Sequence, residues 1–337
     1  VTGDVTVVGN NAALCRLDLT NGAFSCGGDL RLEQSRLTLY QSDDPGAAPV
    51  AIGGACILTN SAALYLYSGS AKAEEGEPGV VFQAEHLAVG TNCWVYAIAN
   101  STNGAAPLFR VQTLLVQTNA GFNANAAGYR DTLGTGDGAF GPRTGPDGRG
   151  NWINGTAGGG GGYGGAGGRH SATRGLAYGS SNAPVQVGCP GSGSYNPNIS
   201  GSGGGLIRIE AERWARLNGG SLLANGGAPG SFRSGGSGGG IYLRCGRFAG
   251  GGATLQANGA NGYRYSPGTS TYYCGGGGGG GRIAVWRRAG DAEAVCTVDG
   301  GVGGLNEDQP DYEAYCGEGG TVVWGWLPQT GTTLLLR

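Results

Sequence analysis

The sequence predicts an all-β chain: a parallel β-helix, or β-solenoid, carrying glycine-rich loop insertions. Three observations predict it. Short stretches of alternating apolar and polar residues recur along the chain. No stretch has the length and periodicity of a stable helix; even AERWARL at 211–217 is too short. Glycine runs lead straight into several of the predicted strands, as in CGGGGGGGRIAVWRR at 274–288.

The first hundred residues repeat tightly. Strand-like segments fall at 4–9, 13–19, 29–35, 36–42, 55–60, 63–68, 80–89 and 92–99, with Gly, Asn, Ser, Asp and Pro between them. Alternation of period two marks strands with one face buried. The second half repeats on a longer scale. Glycine-to-strand junctions place strand starts at Leu206, Ile241, Arg282 and Thr321, in steps of roughly forty residues. A second strand and a small-residue turn follow the first three: SLLANGGAPG, ATLQANGANG and AVCTVDGGVGG. An earlier copy lies at 108–128. Residues 1–128 are thus read as solenoid rungs, 129–205 as a long glycine-rich insertion loop, and 206–337 as further rungs with glycine-rich loops, in one continuous domain.

Many short strands also suit a sandwich or a barrel. A solenoid alone gives a reason for turns that repeat their chemistry, since turn stacks on turn and each rung touches only its neighbours. Asn and Asp tolerate left-handed backbone angles and Gly takes them freely, which suits the ANGG and VDGG turns. The glycine runs have two readings. Stacked side by side, they could hydrogen-bond laterally as three-residue-per-turn chains, a polyglycine-II layer. Left exposed, they would be mobile surface loops, because ordering glycine carries the largest backbone entropy cost.

The insertion is too long for an ordinary connection and is either functional or disordered. Its aromatics argue for order: Phe140, Trp152, Tyr163, Tyr178 and Tyr195. They can bury a glycine run, the favoured reading, or stack on sugar rings. On the second reading Trp152, Tyr163, Tyr178 and Tyr195 are the candidate ligand-binding residues.

Composition removes several function classes. The chain has 337 residues, 75 of them glycine, yet glycine does not recur at every third position as collagen requires. With 13 % charged residues, 6 Trp and 15 Tyr it does not read as simply disordered. A net charge of −2 gives no electrostatic case for nucleic acid, and no apolar stretch suggests membrane insertion. Val1 in place of a methionine fits a mature chain freed of its signal peptide. Secretion would make disulfide candidates of Cys15, Cys26, Cys56, Cys93, Cys189, Cys245, Cys274, Cys296 and Cys316, with one left over. A buried free thiol is the competing reading for that one. Possible glycosylation sequons begin at Asn100, Asn154 and Asn198.

Catalytic signals are thin. The carboxylate groups are Asp43 with Asp44, Glu74 with Glu75 and Glu77, Glu210 with Glu212, and Asp291 with Glu293. Period two puts Glu210 and Glu212 on one strand face. None of the groups recurs in register on neighbouring rungs, so solvated surface charge is the favoured reading. His86 and His170 lie in no nucleophile or metal motif. No cofactor is expected. Asp137 and Asp147, each flanked by glycine, are the candidate calcium ligands, but the closely spaced repeats of calcium-binding solenoids are absent and turn aspartates fit better. The glycine runs lack the lysine that a phosphate-binding loop needs.

Glycine runs ending in RI plus a strand, the ANG turns and the GGYGGAGG…AYGSS-AP loop resemble large glycine-rich cell-surface proteins of environmental bacteria, with similar segments in some plant and oomycete surface proteins. The first hundred residues resemble rungs of the pectin-lyase-like β-helices of bacterial adhesins. The resemblance implies secretion and a matrix or adhesive role, and supplies no catalytic residues. The expected function is a secreted structural protein that stacks head to tail on copies of itself. The alternatives are an adhesin that binds surface glycans and a polysaccharide lyase or hydrolase.

Overall fold

The computed structural model describes residues 1–9, 15–20, 24–41, 49–70, 77–130, 158–169, 174–192, 200–230, 233–264, 274–304 and 311–328. In chain order the strands are β1 (Val5–Val8), β2 (Cys15–Thr20), β3 (Ser25–Cys26), β4 (Leu30–Glu33), β5 (Ser35–Tyr40), β6 (Val50–Ile52), β7 (Ala55–Thr59) and β8 (Ala63–Tyr67). Then come β9 (Val80–Val89), β10 (Trp94–Ile98), β11 (Pro107–Val116), β12 (Gly121–Asn123), β13 (Leu206–Asn218) and β14 (Ser221–Leu223). The last are β15 (Gly240–Gly251), β16 (Thr254–Gln256), β17 (Arg282–Ala289), β18 (Val295–Thr297) and β19 (Thr321–Trp326). One four-residue helix, α1 (Tyr312–Tyr315), precedes β19. The protein is all-β.

Two long sheets hold these strands. One runs β1-β4-β7-β9-β11-β13-β15-β17-β19, with β3 and β6 joining it beside β9. The other runs β2-β5-β8-β10-β12-β14-β16-β18. Every pairing in both is parallel. From β7 to β18 the chain alternates between the sheets, strand by strand. β11 and β13 are hydrogen-bonded neighbours although the insertion separates them in sequence.

Alternation in the sequence becomes columns in the core. Leu30, Cys56, Leu87, Leu114, Ala215 and Phe248 occupy one register column. Leu37, Leu64, Val95, Phe122, Leu222 and Leu255 occupy a second, in the other sheet. Phe82, Phe109, Ile209, Leu243 and Val285 form a third. All are buried. Phe109 meets Phe82 at 5.5 Å and Phe122 at 5.1 Å between ring centroids, locking the third column to the second. Each Leu, Val, Ile or Phe among them contributes about 1.5–3 kcal/mol by leaving water.

The structure extends the expected strand set and corrects two expectations. β3 and β6 are too short to show an alternation, and residues 211–217 belong to the long strand β13. The ANG turns do stack, but for another reason than left-handed geometry. Asn225, Asn258 and Asp299 are not among the positive-φ residues; Asn60, Asn92 and Asn119 are. Instead each side chain bonds the next turn. Asn125 Oδ1 accepts the Asn225 N–H, Asn225 Oδ1 the Asn258 N–H and Asn258 Oδ1 the Asp299 N–H, each at 2.8 Å.

The second correction concerns the cysteines. No disulfide joins the described ones. Cys26, Cys56, Cys93 and Cys245 are buried thiols, Cys296 and Cys316 half-buried ones. Cys189 and Cys274 are also buried, and the Cys15 side chain lies outside the described residues. Cys56 stands between Leu30 and Leu87, and Cys245 between Ala211 and Arg287, so their register neighbours are not cysteines.

The glycine runs are ordered. From Gly275 to Gly281 the N–H groups turn to three neighbours in strict rotation. Gly275, Gly278 and Gly281 donate to the carbonyls of Tyr263, Ala260 and Ala257. Gly276 and Gly279 donate to Gly158 and Gly161, and Gly277 and Gly280 to Tyr315 and Glu318. The carbonyls repeat the rotation. Those of Gly275 and Gly278 accept from Gly304 and Gly301, those of Gly276 and Gly279 from Gly235 and Gly238, and those of Gly277 and Gly280 from Gly168 and Gly164. Residues 275–281 are all buried. A three-residue-per-turn chain makes no hydrogen bonds within itself, so its polar groups are satisfied only by such lateral packing. Leaving each one buried and unpaired would cost about 1–3 kcal/mol.

Candidate functional site

A groove of about 380 Å³ lies on the outer side of the first sheet. Register builds it. Gln83, Arg110, Glu210, Arg244 and Trp286 form one outward column across β9, β11, β13, β15 and β17. The pairing shifts register between Ala211 and Trp214, where β13 turns a corner. The small residues Ala84, Ala211 and Gly246 leave a concavity there, and Gln83, Arg110, Glu210, Arg244, Glu212 and Arg288 supply the polar part of its lining.

The electrostatics are uneven. Arg110 Nε donates to Glu210 Oε2 at 3.0 Å, a half-exposed ion pair worth at most about 1 kcal/mol. Arg244 and Arg288 make no ion pair with a described residue. The groove therefore combines one neutralised pair, the Glu212 carboxylate and two guanidinium groups whose forks suit carboxylate, sulfate or phosphate oxygens. Glu210 and Glu212 do come together here, as strand periodicity suggests, although the corner places Glu212 on an exposed bulge.

The insertion borders this face. Its segment 174–192 packs over the first sheet, where Val187 and Cys189 join Leu206, Ala106 and Tyr129 in a small separate core. Arg282 ties it down. This buried guanidinium donates from Nε to the Tyr178 carbonyl at 3.0 Å, from Nη1 to Thr321 Oγ1 at 3.0 Å and from Nη2 to the Tyr163 carbonyl at 3.5 Å. Trp286 Nε1 donates to the Asn182 carbonyl at 2.8 Å.

Tyr163 is corrected as a sugar-stacking residue: it is completely buried, with the Arg282 guanidinium 5.6 Å from its ring centre. Tyr178 packs on it at 4.9 Å and donates its hydroxyl to the Val187 carbonyl. Burial pushes both phenols up from their ordinary value. The sequence shows these tyrosines, but not which face of the insertion is inside. Trp152 and Tyr195, the calcium candidates Asp137 and Asp147, the sequons at Asn154 and Asn198, His170, and Asp43, Asp44, Glu74 and Glu75 lie outside the described residues. Asn100 opens a turn, its Oδ1 accepting the Thr102 and Asn103 N–H groups at 3.0 and 3.2 Å.

Nucleophiles are poorly equipped. Burial raises the Cys56 and Cys245 thiols to about 12 and the Cys296 thiol to about 11, so these three stay protonated at neutral pH. His86 Nδ1 is 2.7 Å from Thr113 Oγ1 on the neighbouring strand. Asp291 and Glu293 are exposed beyond the end of β17. Among the described residues no three His, Cys, Asp or Glu side chains gather as metal ligands, and no helix is long and apolar enough to cross a membrane. Comparison with protein-family models, curated proteins and solved structures finds no match for this chain.

Proposed function

We propose that the chain is a structural protein of the cell exterior, a β-solenoid backed by a polyglycine-II layer that assembles head to tail into a fibre, sheath or matrix. One observation carries the reading. Both sheets are parallel throughout, and among the described residues β1 and β19 in one, and β2 and β18 in the other, have a hydrogen-bonded neighbour on one side only. Parallel edges at opposite ends of one molecule complement each other, and a contact that does not close on itself makes a filament. Exposed apolar side chains lie at both ends: Val8 is 55 % exposed, Val295 64 % and Trp326 61 %. The ladder of turn amides has the same logic, since each rung offers acceptors to the next. On this reading the partner is the protein itself, and the chain has no catalytic role.

The test is electron microscopy of the purified chain over rising concentration, without detergent. Fibres with an axial repeat near the length of one subunit are expected. A protein that stays monomeric and monodisperse at high concentration sinks the proposal.

A second reading, glycan binding by a surface adhesin, is favoured by Arg244 and Arg288 in the groove. Paired guanidinium groups on a rigid sheet suit a glycan bearing carboxylates or sulfates. The double variant Arg244→Ala, Arg288→Ala is expected to lower retention of acidic oligosaccharides at least about tenfold, the loss of roughly one charge-assisted bond. Undiminished retention would remove this site from consideration.

A further inference from the structure

We propose that Tyr65 and Tyr96 form an oxidative cross-linking site, at which a carbon–carbon bond between the two phenol rings staples neighbouring strands together. The inference goes beyond self-assembly and does not depend on it.

Tyr65 lies on β8 and Tyr96 on β10, directly paired in register on the outer face of the second sheet. Their ring centroids are 4.1 Å apart and the planes differ by 5°. That is closer than the spacing of about 4.8 Å between strands, so the rings lean together. Equal side chains at equal positions on parallel strands stack with their planes nearly parallel. Stacking at this distance brings the carbons ortho to the two oxygens, where phenoxyl radicals couple, within reach of each other.

This arrangement suits coupling better than ligand stacking. A sugar needs an open ring face. One face of Tyr65 is taken by Tyr96, and Arg36 on β5 lies over the ring with its guanidinium carbon 3.8 Å from the centroid. Both tyrosines remain half-exposed. A second pair repeats the geometry less closely: Tyr40 on β5 and Tyr67 on β8 stack at 4.5 Å and 21°. The described cysteines form no disulfides, and Lys72 is the only lysine in the sequence. Aromatic side chains are thus the groups best placed to supply a covalent tie between rungs.

The chemistry balances with a peroxide oxidant. Each phenol gives up one electron and its hydroxyl proton, forming two phenoxyl radicals. The radicals join through their ortho carbons, and the hydrogen on each joined carbon moves to the ring oxygen as aromaticity returns. One carbon–carbon bond forms, the two ortho C–H bonds break, each ring regains its O–H, and hydrogen peroxide takes up the two electrons and two protons released and is reduced to two waters.

The test treats the purified folded chain with a haem peroxidase and hydrogen peroxide at low protein concentration. Expected products are dityrosine fluorescence in the monomer, a mass lower by two hydrogens per link, and a proteolytic fragment joining Tyr65 to Tyr96. Tyr65→Phe and Tyr96→Phe, which preserve the stack, should each abolish that fragment. The Tyr40–Tyr67 fragment should form more slowly and survive both changes. The idea is overturned if links arise only between molecules, if the joined fragment is absent, or if the denatured chain yields it equally well.

Discussion

Gly278→Ala is expected to destabilise the protein by about 4–5 kcal/mol, at the extreme of single substitutions, while Gly319→Ala changes stability by no more than about 0.5 kcal/mol. Both replace a glycine of the same layer. A Cβ on Gly278 would overlap the carbonyl of Gly236 and approach the amide of Ser237, all main-chain atoms that cannot swing aside. The neighbouring chains would have to part, and their hydrogen bonds with them. A Cβ on Gly319 would find its nearest neighbour, the Val298 carbonyl oxygen, at 3.8 Å. Denaturant unfolding of the two variants measures the difference. Equal losses at both positions would mean that the close approach of bare backbones is not what the glycines supply.

Arg282→Ala is expected to cost about 3 kcal/mol, because buried hydrogen bonds to a charged group contribute about 1.5–3 kcal/mol and abandoned acceptors add their desolvation. The side chain joins the insertion, through the Tyr163 and Tyr178 carbonyls, to β19, through Thr321. Arg282→Lys should recover only part of the loss. An ammonium keeps the charge, but it lacks the planar fork that reaches three acceptors in different directions. Thermal unfolding of the two variants separates these contributions. A lysine variant as stable as the parent would show that charge alone suffices.

Much of this architecture was legible because strands announce themselves by period. The alternation in ALYLY, and the glycine-to-strand junctions at Leu206, Arg282 and Thr321, appear as β8, β13, β17 and β19. Stacking of the ANG turns was visible in the repeat, while its cause, a side-chain acceptor aimed at the next turn, was not. Aligning the junctions at Leu206, Ile241 and Arg282 would have left Arg244 one position out of step with Glu210 and Trp286, because the register that puts them in one column pairs Leu206 and Arg282 with Gly240. The groove was missed because its concavity comes from a corner whose register shift leaves no mark in the sequence. The glycine runs kept two readings because their hydrogen-bond partners at 158–161 and 315–318 are far away along the chain. Tyr65 and Tyr96 each read as an outward strand residue; only the register makes them a pair.

The insertion's place among the glycine runs has a consequence for how the molecule is made. Strands β1 to β11 can add one upon another in the order in which they leave the ribosome. Residues 158–169 cannot be completed that way. Their amide partners lie at 235, 277, 280 and 314, and they in turn satisfy amides at 276, 279 and 318. The insertion must wait while the later strands are synthesised, and it locks only after residues 314–318 arrive. Vectorial growth of the sheets is thereby joined to a final, non-local closing step, the kind of contact that slows folding most. Residues made about 150 positions after the insertion decide whether it becomes ordered.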